Sequence, residues 1–148
     1  MADILRHASA TWAGDLQSGT GTASTESGAL REARVSFPSR FEEPITGSNP
    51  EELIAGAHAA CFSMALAATL GRQGHKPKEI RTRATITLRK GEDGFKITGM
   101  HLATEGNVPG IDEATFKQAA EMAKETCPVS ALLKPGLQEL TVEAKLVA

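Results

Sequence analysis

A few side chains in this chain have types and surroundings that could carry a reaction. Cys61 falls in the middle of the most apolar stretch, LIAGAHAACFSMALAATL. A lone cysteine in such a run reads first as a small buried hydrophobe, because free cysteine is among the most buried side chains. Cys127 stands directly before Pro128, where a helix should stop, since the residue preceding a proline is disfavoured in helical geometry. It is either the residue that fills that break or a thiol at the start of a restarted helix, where a lowered pKa favours redox use. Composition does not decide whether the two sulfurs meet. Arg40 lies in SFPSRFEE and has a solvated surface role as its plainest reading. Glu51 and Glu52 occupy the first turn of a helix, where negative charge is favoured by the helix dipole. Capping explains Glu52 and leaves Glu51 without that duty.

His58 precedes Cys61 by three residues and so shares its helix face. A Cys–His pair could activate a nucleophile or join a metal site. Neither use is favoured, because His7, His75 and His101 show no ligand spacing and no C-x-x-C occurs. No metal or other cofactor is expected. P-loop, G-x-G-x-x-G and G-x-S-x-G patterns are missing too, which leaves nucleotide and serine-hydrolase chemistry without support.

The elements that must position these residues follow from local signals. Asn49 is an N-cap candidate, Pro50 suits the first helical position, and Glu52 stands three residues after the cap. The helix they start runs to Gly71, roughly 22 residues or about 33 Å. From Leu53 to Leu70 it carries no formal charge, which raises the question of a membrane span. Alanine supplies much of the apolarity, and His58, Ser63 and Thr69 interrupt it. A helix buried on nearly all sides is the better reading. One chain of this size struggles to surround it, so a helix shared across a homodimer interface is expected.

Residues 8–13 and 19–25 read as a hairpin around Gly14-Asp15, and residues 26–48 as a long loop with a short strand at Arg34–Phe37. Residues 79–90 and 95–105 alternate polar with apolar around the turn at 91–94, a second hairpin. Ile111–Thr126 reads as a helix, Pro128–Leu133 as a short restarted one, and Glu139–Val147 as a last strand. The order predicts an α+β fold with antiparallel pairing, in one domain over residues 1–148. Among 148 residues 41% are hydrophobic and 23% charged, and the net charge is −2. That is ordinary for a soluble globular protein and argues against nucleic acid or an anionic membrane as partner. The first residues show no basic head followed by an apolar run, so a cytoplasmic location is expected. A cysteine pair in that reducing compartment is rarely a permanent staple.

The stretch SNPEELIAGAHAACFSMAL resembles the signature of the osmotically inducible protein C and organic hydroperoxide resistance (OsmC/Ohr) family. It combines Asn49-Pro50-Glu51-Glu52-Leu53 with Ala59-Ala60-Cys61-Phe62 at the family's spacing. A second motif stands here as Cys127-Pro128-Val129-Ser130, and SGTGTAS and SGAL extend the likeness toward the N-terminus. Phe37-Pro38-Ser39-Arg40-Phe41-Glu42 is similar to the osmotically inducible branch.

The resemblance implies an OsmC-like fold, an intertwined homodimer with antiparallel sheets wrapped around two central helices. It also implies a thiol-dependent peroxidase without metal, reducing organic hydroperoxides better than hydrogen peroxide in defence against oxidative stress. Cys61 would be the nucleophile, Cys127 the thiol that resolves its sulfenic acid into a disulfide, and an external dithiol, of lipoyl type, the reductant. Arg40 would favour the thiolate and stabilise the leaving oxygen, with Glu51 orienting it. Phe62 and Met64 would line the substrate site. Two other uses of such a chain are a non-catalytic redox sensor or ligand-binding module, and a hydrolase built on Cys61 and His58.

Overall fold

Three antiparallel strands come first. In the computed structural model, which describes residues 1–147, β1 (Ala8–Ala13), β2 (Thr20–Thr25) and β3 (Ala33–Ser36) pair in that order. Gly21 sits opposite Trp12 in this sheet. A Cβ there would come within 2.5 Å of the Thr11 carbonyl and 2.9 Å of the Trp12 ring, so only glycine admits the indole. After β3 the predicted loop contains a 3₁₀ turn, Pro38–Arg40, and then helix α1 begins, Pro50–Arg72. Contacts divide the chain into two compact units, Met1–Leu53 and the part from Ile54 onward, and α1 spans the boundary.

Asn49 caps α1 as expected, its Oδ1 accepting the Glu52 amide at 2.8 Å. The reciprocal half of a capping box is not formed. Glu52 instead accepts from the Ser48 hydroxyl at 2.9 Å.

The second unit is built on β4 (Glu79–Gly91), β5 (Gly94–Asn107) and β6 (Glu139–Leu146), in that order. β4 and β5 form the predicted hairpin, with a register shift between Thr87 and Leu88. β6 differs from expectation, because it runs parallel to β5. The pairing is therefore mixed rather than wholly antiparallel. The connection from β5 to β6 holds two helices, α2 (Glu113–Thr126) and α3 (Pro128–Leu133), and a crossover of that length is what a parallel neighbour requires.

Asp112 starts α2 by accepting the Thr115 amide, and the helix presents Phe116, Ala119, Ala120 and Ala123 as one buried stripe at helical spacing. Gly106 gives the Phe116 ring its place, since a Cβ there would lie 2.4 Å from ring carbons. Phe62, Leu66 and Leu70 of α1 join Met100, Leu102 and Phe116 in the same core. Each large side chain fully buried in this way contributes about 1.5–3 kcal/mol.

The remaining face of α1 departs from the prediction. Only a third of its 18-residue apolar window is buried, at a mean hydropathy of 1.7. Gly56, Ala57, Ala60, Met64 and Ala68 are exposed along one stripe. By length and apolarity alone the helix could cross a bilayer, yet its opposite face carries the core residues just named. Within one chain, then, it is covered on one side rather than nearly all round, as expected for a helix with a single layer of partners.

Candidate active site

Arg40 is held by the polar groups that start α1. Ser39 and Asn49 are both buried. The Ser39 hydroxyl reaches the carbonyls of Ser36 and Ser48, at 2.7 and 2.8 Å. The Asn49 amide nitrogen donates to the Ser39 carbonyl at 3.0 Å while its oxygen caps the helix. One side chain thus fixes both the helix start and the residue before Arg40.

From there the guanidinium turns to Glu51. Nε lies 3.1 Å from each carboxylate oxygen, and Nη2 makes a further close contact with Oε1. Two nitrogens on one carboxylate set the plane of the guanidinium as well as its position. The carboxylate is nearly buried while the arginine keeps 27% of its side-chain surface exposed, so the cation's open side stays available. The Phe41 ring lies 5.6 Å from Cζ, within cation–π range. Beside Arg40, a groove of about 280 Å³ is lined by Trp12, Leu16, Val35, Phe37 and Pro50.

In the second unit the two cysteines meet. Cys61 is partly exposed, Cys127 is completely buried, and both are free thiols. Cys61 packs against the core cluster that includes Cys127, near enough for Cys127 to act on its thiol. Cys127 occupies the break between α2 and α3 in extended geometry, as Pro128 dictates. Burial pushes the Cys61 thiol above its ordinary range, a hydrogen bond from the Val129 backbone amide pulls it back, and the neighbouring Cys127 raises it again. The amide donor at the start of α3 is thus the local feature that favours a thiolate.

Residues flanking this pair have distinct placements. Phe62 has no exposed surface and belongs to the core, whereas Met64 is 66% exposed. His58 is wholly buried, and its Nε2 lies 2.7 Å from the Ser130 hydroxyl. Its pKa is lowered by burial alone. Sequence reasoning weighed His58 as a partner for Cys61 and assigned Ser130 nothing. Ser130 closes the Cys-Pro-Val-Ser motif, one turn beyond Cys127, but nothing in that motif names His58 as its partner.

Comparison with known proteins gives the family and the fold. A family model described as OsmC-like protein matches residues 43–140. Peroxiredoxin OsmC of Escherichia coli (strain K12) is 48% identical over 143 residues, 97% of each chain. Among solved structures, the organic hydroperoxide resistance protein OhrB of Bacillus subtilis superposes with a TM-score of 0.74 at 27% identity, covering 94% of this chain and 98% of that one. An OsmC-like protein from Mycoplasma pneumoniae shares the fold, with a TM-score of 0.76 at 18% identity over 99% and 100% of the two chains. Reached independently from its motifs, its α+β architecture and these likenesses, the chain belongs to the OsmC-like protein family.

Proposed function

We propose that the protein is a cysteine peroxidase that reduces organic hydroperoxides to alcohols. The observation that carries this reading is a partly exposed thiol, Cys61, packed against the core that holds a buried one, Cys127, both free. The names of its relatives, a peroxiredoxin and a hydroperoxide resistance protein, support the same chemistry.

The Cys61 thiolate attacks one peroxide oxygen. The S–O bond forms as the O–O bond breaks, and the alkoxide leaves with a proton as the alcohol. The Cys61 sulfenic acid then condenses with the Cys127 thiol, releasing water and leaving a disulfide. An external dithiol, of lipoyl type in this reading, reduces it by exchange. Arg40 supplies a positive charge that favours the thiolate and the departing oxygen. Glu51 holds that guanidinium in one orientation. Sulfur, arginine and carboxylate suffice for every step, so no metal is needed.

The apolar groove beside Arg40 suits a hydrocarbon tail, and the exposed Met64 offers an apolar contact of its own, so organic hydroperoxides are the preferred substrates and hydrogen peroxide a poorer one. Phe62, buried in the core, has no surface to offer a substrate. The uncovered small-residue stripe on α1 favours a homodimer with that helix at its centre. The hydrolase reading is disfavoured because the Nε2 of His58 is engaged by Ser130.

The test mixes reduced protein with cumene hydroperoxide and dithiothreitol and follows peroxide loss. Many turnovers by wild type and none by Cys61→Ser are expected. One equivalent consumed, then a halt despite excess dithiol, would replace the peroxidase with a redox sensor. Equal catalytic efficiency with hydrogen peroxide would remove the substrate preference.

A further inference from the structure

Three ties join α1 to α3. Two bear on the reacting sulfur: the Val129 amide and Cys127 both act on the Cys61 thiol. Both must change when Cys61 is oxidised. The third, between His58 and Ser130, involves no sulfur. His58 stands one turn before Cys61 on α1, and Ser130 one turn after Cys127, on α3.

Both side chains are buried, and Nδ1 of His58 is an unpartnered buried side-chain atom among the described residues. Burying such groups is costly unless they bond each other. With the proton on Nε2 the imidazole donates to the Ser130 oxygen, and Nδ1 strands only a lone pair. The other tautomer would strand an N–H, the rarer defect in folded proteins.

We propose that the His58–Ser130 hydrogen bond is a positioning device that keeps α3, and with it Cys127, in register with Cys61 through the sulfenic acid stage. The proposal rests on the peroxidase reading above. Resolution requires the Cys127 sulfur to attack the Cys61 sulfur while its oxygen leaves as water, and small misplacements are expensive in such a step. A tie indifferent to the oxidation state of sulfur holds the attacking thiol in place when the other two contacts are lost.

The experiment is single-turnover oxidation of the reduced full chain by cumene hydroperoxide. It separates the second-order formation of the sulfenic acid from the first-order formation of the disulfide. Ser130→Ala and His58→Leu should slow disulfide formation about tenfold or more and let excess peroxide over-oxidise Cys61, with the first phase far less affected. His58→Gln carries an amide nitrogen at the same bond count from Cβ and should restore the rate to within about threefold of wild type. A residue serving stability alone would lower the melting temperature without lengthening the lifetime of the sulfenic acid. Unchanged lifetimes in Ser130→Ala and His58→Leu would overturn the proposal, as would a His58→Gln protein as slow as His58→Leu. Failure of wild type to form any disulfide would overturn the peroxidase reading itself.

Discussion

The carboxylate of Glu51, on the first turn of α1, meets the guanidinium of Arg40 through both Nε and Nη2. A helix start is a natural home for an acidic residue, but here the acid is committed to an arginine rather than left to solvent. Charge alone would not need a two-nitrogen contact; an orientation does.

That contact predicts that Glu51→Gln keeps the fold and loses rate. Misplacing the guanidinium should lower kcat/KM for cumene hydroperoxide about a hundredfold. Arg40→Lys should not rescue activity, since an ammonium cannot make the paired contact. Steady-state kinetics of both variants check this, and near-wild-type rates in Glu51→Gln would remove the orienting role.

The thiol of Cys61 gives a second expectation. Burial is the largest cause of its raised pKa, and Cys127 adds to it. Replacing Cys127 by alanine removes the smaller contribution, so the midpoint of Cys61 alkylation against pH should move down. The rate at which iodoacetamide labels the Cys61 peptide, followed by mass spectrometry, measures that midpoint. An upward shift would mean that Cys127 assists ionisation instead.

His58 should show in acid. Its folded pKa is depressed by burial, so below about 6.5 the unfolded chain takes up a proton that the folded chain refuses. Stability then falls as the pH drops from about 6.5 toward the folded value, and is unaffected by this group above it. Denaturant midpoints at about pH 7.5 and about pH 5 should differ less in His58→Gln than in wild type. An equal loss in both would assign the acid sensitivity to other groups.

The bare stripe of α1 leads to a test of assembly. Ala68 is exposed on that face, and a charge placed there costs little in a monomer but much in a packed interface. Sedimentation should find wild type dimeric and Ala68→Glu shifted to monomer at micromolar concentration. A wild-type monomer would leave the stripe without the partner proposed for it.

Some of this arrangement was legible in the residues alone, and the reason is range. Asn49, Pro50 and Pro128 act on the few residues beside them, so the starts of α1 and α3 and the break at Cys127 could be placed within a residue or two. The direction of β6 could not, because ELTVEAKL alternates in the same way whether its neighbour runs with it or against it. Nor could the covered side of α1 be read. Alanine and glycine appear around much of the helix, and such a composition does not say which face is packed. The pairing of Arg40 with Glu51 was implied by family resemblance, whereas the pairing of His58 with Ser130 had no local signal and needed coordinates.

The crossover between β5 and β6 has a consequence for the newly made chain. Synthesis runs from the N-terminus, so the stretch bearing Cys61 leaves the ribosome well before α2 has formed, and Cys127 follows only at the end of that helix. Until then Cys61 of the nascent polypeptide lacks both the Val129 amide that favours its thiolate and the second thiol. In the reading proposed above, the reactive sulfur and the group that rescues it therefore come into being together, when the crossover is complete.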